Sequence, residues 1–250
     1  MALTIAVCVK LVPVSTRLDP GTGRLDRSGA HHMNTVDEHA VEAALALRDS
    51  AGGGEVVVVS VAPGELADSL RPALAMGADR AVLVSSPQLE GADLLGTSAA
   101  LATALSSIDP DLVMFGSWSG DGNGAMLWAA VGERLGLPVV SRAMDYALHD
   151  RRLTVTRQIE QGSEVVEVGL PAIIALSGEV NVPRYPSFRD VVAAKKKPID
   201  QVATALDGLV AGTTVISWEP APTRTGGIVI EDDGHAHERL LEFLIERGVL

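Results

Sequence analysis

Residues 111–137, DLVMFGSWSGDGNGAMLWAAVGERLGL, decide the fold. Residues 112–115 are a short apolar run, the pattern of a central parallel strand covered on both faces. Gly116, Gly120, Gly122 and Gly124 interrupt it. Apolar residues then return at helical spacing as Leu127, Val131 and Leu135. A strand, a glycine turn and a helix in this order leave backbone N–H groups free at a helix N-terminus, beyond the carboxyl end of a strand. Open α/β sheets bind phosphate and nucleotide groups there. Glycine turns also join strands to helices with no ligand present, so geometry alone leaves both readings open.

Upstream, the same alternation repeats. Residues 3–9, 55–61 and 80–85 read as buried strands. Thr35-Val36-Asp37-Glu38 fits a capping box, with Thr35 as N-cap and Glu38 at the third helical position, opening a helix that stops at Gly52. A helix from Pro63 carries Leu66, Leu70 and Leu74 on one stripe, and Pro72 should kink or divide it. Residues 93–107 form a helix of small side chains. Residues 17–28, RLDPGTGRLDRS, read as a surface hairpin. Strands alternating with helices of this length imply a right-handed parallel sheet.

Downstream of Leu137 the pattern changes. Residues 138–148, 153–159 and 164–170 leave no room for helices between them and imply an antiparallel meander, followed by a buried strand at 172–176. From Asn181, NVPRYPSFRDVVAAKKKPID reads as an exposed segment leading into a short helix. An extended arm is expected from about residue 199, including TTVISWEPAPTRTGGIVIE, with a final helix at 235–247. An arm without a core of its own either wraps a partner or packs on its own domain.

The 250 residues are 47% hydrophobic, which suits one large or two small domains with a substantial aliphatic core. A net charge of −12 argues against nucleic acid as the main partner. The single cysteine, Cys8, excludes an internal disulfide and falls in the first apolar strand, the place of a buried structural thiol. No apolar run reaches the roughly 18 residues of a membrane span. The N-terminal residues lack a basic region before an apolar stretch and a cleavage site, so the expected location is the cytoplasm. The pairs His31-His32 and His235-x-His237 lack a third ligand at suitable spacing, so no metal is expected. Glu160, Glu164 and Glu167 read as outward residues of a hairpin rather than catalytic acids.

Two stretches carry a family resemblance. Residues 155–175, VTRQIEQGSEVVEVGLPAIIA, resemble the signature of the small (beta) subunit of electron-transfer flavoproteins: a basic residue, an acid three on, a short turn, then proline with aliphatics. Pro183-Arg184-Tyr185-Pro186-Ser187-Phe188, leading to Lys195, Lys196 and Lys197, resembles the family's recognition loop and following basic helix. Val9-Lys10-Leu11-Val12-Pro13, Met33-Asn34 before Asp37-Glu38, and RPALAMGADR at 71–80 match as well, so the resemblance spans roughly residues 3–230.

The resemblance implies an α/β fold with a parallel Rossmann-like sheet of the adenine nucleotide alpha-hydrolase kind, an antiparallel extension and a C-terminal arm. It implies a nucleotide-binding-like domain at 1–185, with recognition loop, basic helix and arm at 186–250. It also implies a heterodimer with an alpha subunit that holds most of one FAD. Electrons come from a flavin dehydrogenase and pass to a quinone reductase or another acceptor. The beta subunit has no catalytic residue, and holds AMP in most members or a second FAD in bifurcating ones.

Carried over residue by residue, the nucleotide contacts are Cys8 and Val9, Asn34, Val61, Gly116, and Asp121, Gly122, Asn123, Gly124, Ala125, Met126 and Leu127. Usual members read Asp-Gly-Asp-Thr-Ala-Gln-Val-Gly from Asp121 onward. Here Gly124, Met126 and Trp128 replace Thr, Gln and Gly, removing two side-chain donors and adding a large ring where phosphate would lie. Tyr185, Phe188, Lys195 and Lys196 fall at partner-recognition positions. Phe188 stands at the apolar anchor, and the lysines suit an acidic partner.

Rival classes carry less of the sequence. Gly120-Asp-Gly122-Asn-Gly-Ala125 with Asp145 satisfies a dinucleotide fingerprint for an NAD(P)-dependent oxidoreductase, but it follows the fourth strand rather than the first. An adenine-nucleotide-binding or purely structural α/β module without redox role would lack the recognition loop and the arm. No Walker lysine or G-x-S-x-G elbow is present.

Overall fold

The computed structural model describes residues 2–178, 180–203, 212–219, 221–222 and 226–250. The strands are β1 (Leu3–Cys8), β2 (Leu11–Pro13), β3 (His31–Met33), β4 (Gly54–Val61), β5 (Arg80–Val84) and β6 (Leu112–Gly116). They continue as β7 (Val139–His149), β8 (Arg152–Ile159), β9 (Gly162–Gly169), β10 (Ala172–Leu176) and β11 (Ile199–Val202). The helices are α1 (Thr35–Ser50), α2 (Arg71–Met76), α3 (Leu94–Ile108), α4 (Leu127–Leu135), α5 (Phe188–Ala194) and α6 (Ala236–Glu246).

Among the described residues, nine strands form one sheet in the order β11-β5-β4-β1-β6-β10-β7-β8-β9. Pairing is parallel from β11 to β7, and antiparallel between β7 and β8 and between β8 and β9. The Rossmann-like parallel sheet and its antiparallel extension are as the alternation of elements implies. β7 belongs to both halves. Its start pairs with β10 and its remainder with β8, and Arg142 at φ 56° marks the bend.

Successive strand side chains point to opposite faces, so each central strand feeds two apolar layers. Ile5, Val7, Val58, Met114 and Ile174 join Val41 and Leu45 of α1 and Leu74 of α2. Ala6, Val59, Phe115 and Ile173 join Leu101 and Leu105 of α3 and Val131 of α4. Full burial of such aliphatic side chains stabilises by about 1.5–3 kcal/mol each. Gly132 brings α4 close to the sheet, since a Cβ there would overlap Val139 Cγ2.

Local boundaries follow local chemistry, with two corrections. The expected capping box at Thr35 does not form: Asn34 is the N-cap, without a side-chain cap bond, and Thr35 is already helical. The Asn34 carbonyl accepts the Asp37 N–H at 2.9 Å, and its side chain is engaged elsewhere, so the helix begins one residue early. The arm does not start at 199. Residues 199–202 are β11, paired in register with β5 from Ile199↔Ala81 to Val202↔Val84, because the open edge of β5 offers backbone partners that no local pattern reveals. Of the remaining arm, residues 204–211, 220 and 223–225 lie outside the described residues.

Other expectations hold. Pro72 sits in the first turn of α2, where its missing N–H is harmless, after a separate 3-10 segment at Gly64–Leu70. Residues 17–28 form a hairpin around the Leu18–Leu25 bridge. Glu164 and Glu167 lie on the outer strand, paired with Arg157 at 3.0 Å and Arg152 at 2.7 Å. Asp93 caps α3 through Leu95 and Gly96, while its second oxygen accepts the Gly212 N–H at 2.6 Å.

The chain divides into two compact units, Met1–Val215 and Ile216–Leu250. In the second, Arg239 bonds Asp233 at 2.6 Å and the Glu231 carbonyl at 2.7 Å at the start of α6. Leu240, Leu241 and Ile245 of that helix are exposed. Among the described residues, no helix is long and apolar enough to cross a membrane.

The close approach of α4 makes Gly132→Ala a direct test of this packing. The added methyl must displace Val139, and urea unfolding should show a loss of about 1–3 kcal/mol. An unchanged midpoint would refute the close approach.

Candidate functional site

The chain passes from β1 to β4 and β5 on one side and then crosses to β6 on the other. The strand order reverses between β1 and β6, and their carboxyl ends frame the crevice where such sheets bind ligands. Asp37, only 5% exposed, lies there. Its carboxylate accepts the Lys10 backbone N–H at 2.8 Å, just past β1, and the Gly116 backbone N–H at the end of β6. A side chain at Gly116 would overlap that carboxylate, so only glycine fits. Burial pushes the Asp37 pKa up to about 7, against the opposing pull of these N–H groups, Asn34 and the Lys10 charge. Cys8, on the neighbouring strand end, is buried, and burial followed by the Asp37 charge raises its thiol pKa. It is a structural thiol, not a reactive one.

Asn34 ties this corner to the glycine turn. Its Nδ2 donates to the Trp118 carbonyl at 2.9 Å, and its Oδ1 accepts the Gly120 N–H at 3.0 Å. Its own N–H donates to the Lys10 carbonyl at 2.9 Å. Asp121, with a side chain only 3% exposed, bonds Lys10 Nζ at 2.7 Å through one oxygen and Arg27 through the other. Burial works to raise the Asp121 pKa, but hydrogen bonds and charge from Lys10 and Arg27 outweigh it and hold the carboxyl below its usual range. Arg27 ends the surface hairpin, which is thereby latched to the turn.

The turn itself is open. Asn123 takes φ 50° and donates to the Ser119 carbonyl at 2.8 Å. The N–H groups of Gly122, Gly124, Ala125 and Met126 meet no acceptor among the described residues, and all four residues are exposed. A Cβ at Gly120, Gly122 or Gly124 would approach nothing closer than 3.5 Å. Glycine is thus not demanded by the chain's own packing, and its effect is to leave backbone donors approachable. With the N-terminus of α4 behind them and Lys10 and Arg27 beside them, these donors suit an anionic group. Trp128 packs on the second apolar layer, its indole N–H buried without an acceptor among the described residues.

The structure gathers Cys8, Val9, Asn34, Gly116 and residues 121–127 around this corner, with Val61 on the same carboxyl edge at the end of β4. Leu127 opens α4 and packs inward. Lys10, Arg27, Asp37 and Ser119 went unassigned in the sequence. Lys10 stands out in the sequence only as part of the Val9–Pro13 stretch that follows the first strand, with no role attached, and nothing local signals the Arg27–Asp121 pair, 94 residues apart.

A second feature lies at 181–197. Asn181 Nδ2 donates to the His39 carbonyl at 2.9 Å, and Arg184 forks onto Glu42 at 2.7 and 3.0 Å. Just beyond these pins Tyr185 is fully exposed and Phe188 85% exposed. Ser187 and Asp190 form a capping box that starts α5 at Phe188. Lys195 and Lys196 are exposed, whereas Lys197 turns inward onto the carbonyls of Leu74 and Ala78.

The model of the electron transfer flavoprotein domain matches residues 22–207. The chain is 33% identical to the electron transfer flavoprotein subunit beta of Mycobacterium tuberculosis, over 98% of this chain and 99% of that one. It therefore belongs to the electron transfer flavoprotein family, as a beta subunit. Its role is that of an electron-carrier component of electron transfer flavoprotein complexes, and neither a nicotinamide-dependent oxidoreductase nor a purely structural module is favoured. The family's subunit beta from Megasphaera elsdenii is 32% identical over 99% of this chain and 98% of its own. The caffeyl-CoA reductase-Etf complex subunit CarD of Acetobacterium woodii is 39% identical over 79% of this chain and 77% of its own.

Because the folded-state pKa of Asp37 lies above the ordinary value of 3.8, its contribution to stability is full below that value and is lost as pH rises through about 7. Asp37→Asn should flatten stability across this window. Chemical denaturation from pH 4 to pH 8 measures it, and an undiminished slope would remove Asp37 as the source.

Proposed function

We propose that this chain forms a heterodimer with an alpha subunit holding most of one FAD, and that its own crevice between β1 and β6 holds AMP. The observation that carries the nucleotide part is the run of N–H groups at Gly122, Gly124, Ala125 and Met126, without acceptors among the described residues, ahead of α4. In this reading Cys8 and Val9 meet the adenine through backbone, with Asn34 and Val61 beside them. Gly116 and residues 121–127 take the phosphate. Met126 and Gly124 lack side-chain donors, so the backbone does the binding. FAD, when bound, supplies one- and two-electron redox chemistry.

The residues of this chain bind, orient and exclude water. Asp37 and Asn34 fix the two strand ends and the turn against each other. Lys10 and Arg27 hold Asp121 and add positive charge beside the phosphate donors. Functionally, residues 1–185 act as the nucleotide-binding-like part and 186–250 as the partner-facing part. Tyr185 and Phe188 present apolar surface to a flavin dehydrogenase, and Lys195 and Lys196 attract its acidic rim. Electrons then pass to a quinone reductase or another acceptor, in the cytoplasm. The reductase complex named for the Acetobacterium woodii relative supports a dehydrogenase-type partner.

Two measurements test this. The complex purified with its alpha subunit and then denatured should release one FAD and one AMP per heterodimer, read by chromatography with mass detection. Release of FAD alone would overturn the AMP assignment, and absence of both partner and flavin would overturn the whole reading. Phe188→Ala should slow reduction by the cognate dehydrogenase about tenfold at sub-saturating concentration while FAD content stays constant. Unchanged electron transfer would remove Phe188 as the anchor.

A further inference from the structure

Helix α5 is seven residues long, fewer than two turns, and too short to hold its own orientation in water. Its outward face carries Phe188, Val191 and Val192, all exposed. Ala194 is the residue of α5 that is buried. What fixes this helix is a pair of cations exchanged with α2. Arg71, at the start of α2, sends one guanidinium nitrogen to the carbonyls of Ala194 and Lys197 at 2.9 and 2.7 Å, the carboxyl end of α5. Asp68 holds the same guanidinium through Nε at 3.1 Å. Lys197, just past α5, sends its ammonium to the carbonyls of Leu74 and Ala78 at 3.0 and 2.6 Å, the carboxyl end of α2. Each helix thus has carbonyls at its C-terminal end met by a cation from the other, Leu74 and Ala194 in addition to one backbone N–H apiece. Beyond both helices the chain enters adjacent parallel strands, β5 and β11, with the Ala81 N–H donating to the Pro198 carbonyl at 3.0 Å.

We propose that Arg71 and Lys197 are positioning residues that set the angle at which α5 displays Phe188, Val191 and Val192 to the docking dehydrogenase. The proposal rests on the reading of this surface as the docking site, and it assigns opposite jobs to neighbouring lysines: Lys195 and Lys196 face solvent, while Lys197 works inside. The clamp carries no electrons and touches no cofactor. Its loss changes how well the partner is bound, not how fast the bound pair reacts.

The test uses the intact heterodimer and five variants: Arg71→Met, Arg71→Lys, Lys197→Met, Phe188→Ala and the double variant Arg71→Met with Phe188→Ala. Steady-state reduction by the cognate dehydrogenase is followed with the flavoprotein as varied substrate, together with flavin content and amide hydrogen exchange over residues 188–196. Each single clamp variant should raise KM about five-fold with kcat and flavin content unchanged, and should speed exchange in α5. Arg71→Lys should restore part of the loss, since one charged donor returns. The double variant should be no worse than Phe188→Ala alone, because an undocked helix has no orientation to lose. If Phe188→Ala raises KM and the clamp variants do not, the clamp is refuted and the docking surface stands. Faster exchange with unchanged KM refutes positioning in favour of a purely structural role. If Phe188→Ala itself leaves KM unchanged, the docking reading fails and the clamp's function fails with it.

Discussion

A carboxylate shielded from water holds the two central strands together where their order reverses. Asp37 accepts N–H groups from just beyond β1 and from the end of β6, two strands whose ends would otherwise present bare donors to the crevice. Removing such a charge from water is costly, which is why its pKa rises. The fold tolerates this because the neighbouring backbone donors and the Lys10 charge offset part of the cost. Gly116 is the complement of this arrangement, since any side chain there would displace the carboxylate. The position of the whole glycine turn follows from this corner, through Asn34 on one side and the Lys10–Asp121–Arg27 pairs on the other.

The same economy recurs at the partner-facing edge. A segment that must expose large apolar residues cannot be held by burying them. It is held by polar pins instead: Asn181 on His39, Arg184 on Glu42, and the exchange of Arg71 and Lys197 between two short helices. Charge-assisted bonds are worth about 1.5–3 kcal/mol each when shielded, enough together to order a short element that buries little. The outward residues are thereby free to be chosen for a partner rather than for the core.

Much of the fold was legible. The continuous apolar runs at β1, β4, β6 and β10 and the helical stripes between them are local patterns with fixed periods, and the break after Leu137 correctly marked the antiparallel half. Misreadings arose where a remote partner competes with a local rule. Thr35 looks like an N-cap, yet Asn34 takes that place with its side chain committed to a turn more than eighty residues away. Ile199 and its neighbours look like the start of an arm, yet the free edge of β5 recruits them as a strand.

What the sequence by itself determined is the set of elements, the glycine turn beyond the fourth parallel strand, and the family, because each is written in contiguous residues. Only the tertiary structure decided which charges meet. Lys10, Arg27 and Asp121 form one network and Lys197 parts company with Lys195 and Lys196, through contacts between residues roughly a hundred positions apart. The physical reason is range. Hydrophobic period and turn chemistry act between neighbours in the chain, whereas a carboxylate, a guanidinium or a helix end is satisfied by whatever the fold brings within three ångströms of it.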